Sequence, residues 1–309
     1  MKILVTGAYG QIGSHVVDLL LNMDDIHIIA VDNLATGRRS NLPKDRGDLS
    51  SFQFSIHQRD TVIDLVEKEL PDVIIHTAAS YKNPNDWFED CNTNALGTVN
   101  LIQAAKKFGV KRFVYLQTGL CYAPSSMAHK LSEPIDPANS SYAITKTVGE
   151  EFLQISGLDF VSFRLSNIIG SRNLNGPLPI FYQRLKEDKK CFITEATRDF
   201  VNVQDLARVI FKACLGTGYG IYNFGSGKRY QVRELYDAVV QEMGITSYPE
   251  PEIRTLGADH VDCLLLDASR TLRDFGPLDF KSLKVTVREA INYYEEYGTS
   301  GEISHLKLE

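Results

Sequence analysis

The sequence predicts an α/β fold built on a doubly wound parallel sheet, with a smaller region towards the C-terminus. Three observations lead there. Short β-rich runs alternate with longer helical patterns through the first half of the chain. Several of those runs are almost continuously apolar, as strands covered on both faces must be. A glycine-rich turn directly follows the first run, at the start of a helical pattern.

The candidate strands are Lys2–Thr6, Ile26–Asp32, Phe52–Ile56, Val73–Thr77, Arg112–Gln117 and Phe160–Leu165. Helical stretches fall at Gln11–Met23, Thr61–Glu69, Phe88–Phe108 and Tyr142–Ser156. Strand and helix in turn imply parallel strands joined by right-handed crossovers. After Leu165 the regularity breaks, and IIGSRNLNGPLP reads as a loop from its Gly, Asn and Pro. Beyond it, helices at Val203–Leu215 and Val232–Glu242 mix with short strands. The expected division is a sheet domain of residues 1–166 plus about 199–222, with 167–198 and 223–309 forming a second region at its edge.

Composition narrows the function classes. Hydrophobic residues make up 43% of the 309 positions and charged residues 23%, ordinary values for a globular protein. A net charge of -6 argues against general affinity for nucleic-acid backbone, so no nucleic-acid partner is expected. Five widely spaced cysteines without a CxxC pair fit reduced thiols rather than a disulfide framework or zinc site. The chain opens on the apolar run MKILVTG with no secretory n-region before it, and no apolar run approaches the ~18 residues of a membrane span. The expectation is a cytoplasmic protein with no membrane partner.

TGAYGQIG sets Gly7, Gly10 and Gly13 between the first strand and its helix. Glycine triplets alone are weak signals, and here strand, turn, helix and second strand follow in the right order. The first Gly permits the turn, the second lets backbone approach a pyrophosphate, and the third lets helix and strand pack closely. The helix N-terminus then offers free N–H groups and a positive dipole to phosphate. Asp32 follows Gly13 by 19 positions and ends the second strand, where a carboxylate takes ribose hydroxyls and repels a 2′-phosphate. NAD is therefore favoured over NADP, with Arg38 and Arg39 just beyond keeping NADP as the alternative.

In SSYAITK, Tyr142 and Lys146 lie four residues apart in a helical stretch, on one face. A phenol with a pKa near ~10 is a poor base until something stabilises its phenolate, and a cation one turn away does so. Such pairs arise often by chance. This one follows the fifth strand of a chain that already carries a phosphate loop.

Taken together, the chain resembles the extended short-chain dehydrogenase/reductases, most closely their nucleotide-sugar epimerase/dehydratase branch. The likeness runs through TGAYGQIG, DNL at Asp32–Leu34, HTAAS at His76–Ser80, NALGTVNL at Asn94–Leu101 and QTGLCY at Gln117–Tyr122. It continues through YAITK, FRLSNIIG at Phe163–Gly170, RDFVNVQDLA at Arg198–Ala207, YNFGSG at Tyr222–Gly227 and LDASR at Leu266–Arg270. The wording of QTGLCY and HTAASYK is similar to UDP-sugar 4-epimerases of bacterial O-antigen clusters. The resemblance implies a Rossmann-type fold with bound NAD, a UDP-linked sugar substrate and a homodimer. It makes Tyr142 the catalytic base, Lys146 its electrostatic partner and Thr118 the group bonding the reacting hydroxyl. Gly7, Gly10, Gln11, Ile12, Gly13, Asp32 and Asn33 would hold the cofactor. So would Ser55, Ile56, Ala78, Ala79, Asn94 and Gln117, together with Tyr142 and Lys146. Lys82, Thr118, Asn167, Leu178 and Arg198 would meet the substrate.

Departures from the family pattern are specific. Ser55 stands where the family usually has an Asp for the adenine amino group. The family's second diphosphate-binding Arg falls where this chain reads LGADHVD, and Arg254 lies slightly too early. After Thr118 come Gly119 and Leu120, neither able to transfer a proton, where the dehydratases resembling this fold carry an Asp-Glu pair. Elimination lacks its acid and base, and transient oxidation remains: epimerisation, at C4, through a 4-keto sugar. The alternative enzyme reading is a nucleotide-sugar reductase or dehydrogenase with net NAD(P)H turnover. A cofactor-binding scaffold is a third reading, opposed by the presence of both Tyr142 and Lys146. Cys121 and His76 read as packing residues, and His57, His129 and His260 lack ligand spacing, so no metal is expected.

Overall fold

Alternation of apolar side chains across parallel strands organises the chain. A computed structural model describes residues 1–44, 46–81, 83–137, 140–247, 250–255 and 262–299. Its strands and helices begin with β1 (Lys2–Thr6), α1 (Gln11–Leu20), β2 (His27–Asp32), β3 (Leu49–Gln53), α2 (Arg59–Glu69) and β4 (Val73–His76). Then come α3 (Trp87–Asp90), a π-helical stretch Cys91–Gly97, α4 (Thr98–Phe108), β5 (Arg112–Thr118), α5 (Ser141–Gln154) and β6 (Phe160–Leu165). The later part holds β7 (Asn167–Ile169), α6 (Pro177–Lys186), β8 (Phe192–Ile193), β9 (Thr197–Arg198), β10 (Phe200–Asn202), α7 (Val203–Cys214) and β11 (Gly220–Phe224). Helices α8 (Val232–Glu242), α9 (Ser269–Phe275) and α10 (Leu283–Tyr297) follow.

Seven strands form one sheet in the order β11-β6-β5-β4-β1-β2-β3, every neighbouring pair parallel. Ile3, Val5, Ile28 and Ala30 pack with α1 and α7 on one face. Leu4, Ile29 and Val31 pack with residues of α2, α4 and α5 on the other. Period-two side chains buried both ways explain why these strands read as unbroken apolar runs. Each fully buried aliphatic side chain contributes roughly 1.5–3 kcal/mol. A second core gathers α6, α8 and α10, with Leu178, Leu235 and Val287 fully buried in it.

Several boundaries differ from the sequence reading, each for a physical reason. The third strand lies at Leu49–Gln53, earlier than Phe52–Ile56, because its register is set by β2 (Ile28 opposite Leu49, Asp32 opposite Gln53). It is the sheet's edge and half exposed, so its apolar pattern is weak. Ser55 and Ile56 therefore lie beyond the strand. The first helix stops at Leu20 rather than Met23. The expected helix Phe88–Phe108 is interrupted by its π-helical turn, and β11 enters the sheet where no strand was expected. Its start is hidden by Gly218 and Gly220, both at positive φ.

A polar seam ties the loop after β7 to α1. His15 Nε2 lies 3.0 Å from Ser171 Oγ, Arg172 donates to Asp18 Oδ2 at 2.7 Å, and Asn173 Nδ2 donates to Gln11 Oε1 at 3.4 Å. Tyr294 of α10 donates to Asn173 O at 2.6 Å from the other side. Burial, helped by Arg172, lowers the pKa of His15 from 6.5 to about 4. An imidazole depressed in the folded state gains its proton first on unfolding, so stability falls as pH drops from 6.5 towards 4. The cost from this residue is about 2 kcal/mol at pH 5. Urea unfolding of His15→Gln should show that much less acid sensitivity between pH 7 and pH 5 than the wild type.

Candidate active site

The cofactor-facing residues are set by a contact with no spare volume. Gly7 has φ +68°, and a Cβ there would sit 2.6 Å from the Ala78 nitrogen. A Cβ on Gly13 would lie 2.2 Å from the Gly7 carbonyl oxygen and 2.7 Å from Thr77 Oγ1. Gly10 donates to Gly7 O at 3.0 Å and caps α1 without a side chain, leaving the first-turn N–H groups of Gln11 and Ile12 to a ligand. Gln11 Nε2 is buried without a hydrogen-bond partner among the described residues. This cradle fits a dinucleotide pyrophosphate.

Asp32 closes the cradle from β2. Its Oδ2 accepts from Tyr9 N at 2.9 Å and its Oδ1 from Leu34 N at 2.7 Å. Burial raises its pKa, against backbone donors that favour the carboxylate. Arg38 donates to the carbonyls of Tyr297 and Gly298, at 3.1 and 2.9 Å. Arg39 bonds Gln53. Both guanidiniums thus have protein partners, which favours a bare ribose over a 2′-phosphate. Asn33 Nδ2 donates to Ser55 Oγ at 3.1 Å, joining the loops after β2 and β3. Ile56 packs against Gly97, and Asn100 Nδ2 holds the carbonyls of Ile56 and His57, both at 3.1 Å.

The loop after β4 carries Ala78, Ala79 and Ser80. Asn94, fully buried in the π-helical stretch, accepts from Ser80 N at 2.8 Å and donates to Ser80 O at 2.9 Å and Thr145 Oγ1 at 3.1 Å. Asp90, one turn earlier, accepts from Ser80 Oγ at 2.8 Å and from Ser141 Oγ. The two side chains clamp this loop to the start of α5. A π turn shifts the following face of a helix, a common device at functional sites. Asn100 and Asp90 were missed by sequence reasoning. Their only signal was a polar residue on an otherwise apolar helical face.

Ser140 caps α5 by accepting from Ala143 N at 3.1 Å, and the helix carries Tyr142, Lys146 and Glu150 at four-residue steps. The Tyr142 phenol lies near Thr118 at the end of β5, and that hydroxyl acts to lower its pKa. Tyr81 meets it edge-on, with centroids 6.2 Å apart. Gln117 Oε1 accepts from Thr118 N at 2.8 Å, fixing the strand end. Lys146 is 2% exposed, and its Nζ stands 4.0 Å above the centre of the Tyr115 ring. Burial lowers its pKa from 10.5 to about 7, opposed by Glu150. Burial raises the Tyr142 phenol's pKa, the Asp90 carboxylate adds to that, and Thr118 opposes it. The pocket by itself keeps Tyr142 protonated.

Thr118 pairs with Leu165, and Asn167 follows two residues on, so both stand at the carboxyl ends of adjacent strands, where open α/β sheets bind ligands. Asn167 Oδ1 is buried and has no partner among the described residues. Its backbone N donates to Asp199 O at 3.1 Å, which brings the neighbouring Arg198 to the same end. Arg198 donates to its own strand's Thr197 O at 2.9 Å and to Asp262 O at 3.3 Å. Among the described residues no carboxylate forms an ion pair with it, while burial lowers its pKa. A guanidinium so placed suits a diphosphate. Leu178 does not join this group: its side chain is fully buried in the second core, leaving only its backbone at the first turn of α6. Lys82 lies outside the described residues. His76 is a core residue, with Thr6 Oγ1 2.7 Å from Nδ1 and Thr98 Oγ1 2.9 Å from Nε2.

The profile of the NAD dependent epimerase/dehydratase family matches residues 3–225, from the phosphate loop through the Tyr142–Lys146 helix to the end of β11. The chain belongs to this family. Its cofactor is NAD, and the family's fold is the seven-stranded sheet described above. A putative UDP-glucose 4-epimerase of Methanocaldococcus jannaschii is 31% identical over 78% of this chain and 82% of its own length. The Bordetella bronchiseptica enzyme WbmH, solved with NAD+, is 52% identical, with a TM-score of 0.91 over 96% of this chain and 99% of that one. WbmG of the same organism, solved with NAD and UDP, is 35% identical, with a TM-score of 0.89 over 99% of each chain. For a family member the glycine cradle makes a sharp test. Gly13→Ala should lower the unfolding free energy by about 1–3 kcal/mol through overpacking and abolish NAD binding in a calorimetric titration.

Proposed function

We propose that the protein interconverts the C4 epimers of a UDP-linked sugar through a transient 4-keto intermediate, with NAD regenerated in each turnover. One observation carries this reading. Tyr142 and Thr118 face one another in the site, while Gly119 and Leu120, next in sequence, supply no acid or base for elimination. Relatives that act on UDP-sugars at C4, and the UDP seen in WbmG, support the choice of substrate.

Bound NAD would supply the hydride acceptor and donor. The chain's own groups do the rest. Thr118 holds the reacting hydroxyl through its Oγ1, and Tyr142 removes that hydroxyl's proton and later returns it. Lys146 stabilises the phenolate by its charge. Arg198 and Asn167 bind the diphosphate or its neighbouring sugar. Residues 167–198 and 223–309 make the substrate region, and residues 1–166 with about 199–222 hold NAD.

We also infer a homodimer. Trp87, Phe88 and Leu96 on α3 and the π-helical stretch, with Ile144 and Phe152 on α5 and Ile155 at its C-terminal cap, are exposed large apolar residues on elements that pack together. An apolar surface of that kind marks a protein contact. No described helix is long and apolar enough to cross a membrane, and no cysteine is paired.

Two experiments test these readings. Purified protein with a panel of UDP-sugars, followed by proton NMR, should yield C4 epimers without accumulation or depletion of absorbance at the reduced-cofactor band. Tyr142→Phe should cut kcat at least about 100-fold, the usual contribution of a general base, and unchanged turnover removes Tyr142 from the mechanism. Leu96→Glu with Phe152→Glu should halve the mass seen by light scattering, and an unchanged mass places any interface elsewhere.

A further inference from the structure

The catalytic face of α5 continues one turn beyond Lys146 to Glu150, and nothing in the reaction outlined above uses that residue. Glu150 is fully buried. Its Oε1 accepts two bonds from Arg164, from Nε at 3.0 Å and Nη2 at 2.6 Å, and its Oε2 accepts from Ser162 Oγ at 2.6 Å. Arg164, itself 5% exposed, donates from Nη1 to the Tyr122 hydroxyl at 2.7 Å. Tyr122 in turn donates to Asn223 Oδ1 at 2.9 Å and stacks on His129 with centroids 4.7 Å apart. A buried ion pair is seldom retained for stability alone, since desolvation offsets most of its attraction. This one stands directly under the ammonium the reaction needs.

We propose that Glu150 and Arg164 act as a charge regulator for Lys146. The carboxylate one helical turn away keeps the buried ammonium cationic, and the guanidinium sets how much of that negative charge Lys146 feels. These are positioning residues, and the proposal rests on Lys146 serving Tyr142 as described above. The groups facing Lys146 are few. Tyr142 and Glu150 stand on its own helix, Tyr115 on β5 and His76 on β4, with Arg164 on β6 behind Glu150. Burial keeps His76 neutral and the Tyr115 phenol protonated, so neither brings a charge. Glu150 is the group that opposes the burial of Lys146. Cys121, close to Arg164 and Glu150, is likewise held as a thiol by burial. The same guanidinium fixes Tyr122, four residues after Thr118, so charge at Lys146 and placement of the substrate-side turn share one anchor.

The test titrates Lys146 in protein carrying lysine labelled with carbon-13 at Cε, its resonance assigned from Lys146→Arg. Glu150→Gln should lower the Lys146 midpoint by about one pH unit or more, the size of effect one adjacent charge produces. Arg164→Met should raise it. The double variant should fall between wild type and Glu150→Gln, because removing both charges leaves burial less opposed. Its two neutral side chains also preserve the test where a single variant does not fold. A purely structural pair lowers the melting temperature and leaves the midpoints together or shifts both single variants the same way, and either result overturns the proposal. Activity supplies an independent readout: Glu150→Gln should lose about five-fold in kcat at neutral pH with KM unchanged, since a midpoint moved from about 7 down by one unit takes the charged fraction of Lys146 from about a half to about a tenth. If the midpoints shift in opposite directions while no UDP-sugar is turned over, the charge regulator stands and the epimerase reading falls.

Discussion

The turn between β1 and α1 leaves no volume between its own backbone and the end of β4, and the site is arranged around that contact. A single methyl group at Gly13 would overlap the Gly7 carbonyl. Because the contact is so tight, the helix N-terminus, the Asp32 carboxylate and the loop carrying Ala78 and Ala79 are held at fixed distances from one another. Close packing transmits position as rigidly as a covalent link, since interiors have little free volume to absorb a shift. A dinucleotide laid across that end of the sheet meets a surface already in place.

The other half of the site is positioned by buried hydrogen bonds rather than by apolar packing. Asn94 and Asp90 join the β4 loop to the start of α5, and Glu150 and Arg164 join the far end of the same helical face to β6 and the turn after Thr118. Each group is satisfied, which is the condition for a buried polar network to rigidify a structure. The catalytic helix is thereby gripped above and below Lys146. Burial raises the pKa of Tyr142 and lowers that of Lys146, and the Glu150 carboxylate opposes the second shift.

Much of this was legible in the sequence, and the reasons are physical. Central strands such as β1, β4 and β5 are buried on both faces, so composition alone marks them. The glycines of TGAYGQIG and the Tyr142–Lys146 step are local patterns, and local patterns survive in one dimension. What sequence reading lost was set by partners distant along the chain. β3 sits where β2 places it, and the π turn at Cys91–Gly97 carries no local pattern that separates it from the helix around it. Asp90, Asn100 and Glu150 acquire meaning only from Ser141, Ile56 and Arg164. Leu178 was expected to face substrate and its side chain went to the second core, where the apolar stripe of α6 carries it.

Under the proposed mechanism one carbon of the sugar is oxidised and reduced again without its hydrogen reaching solvent. A UDP-hexose carrying deuterium at C4, incubated with the holoenzyme in ordinary water, tests this by mass spectrometry and proton NMR of the product. The account expects the C4 epimer with deuterium still on C4. Loss of deuterium to solvent, or its lasting transfer to the cofactor pool as reduced NAD, contradicts it.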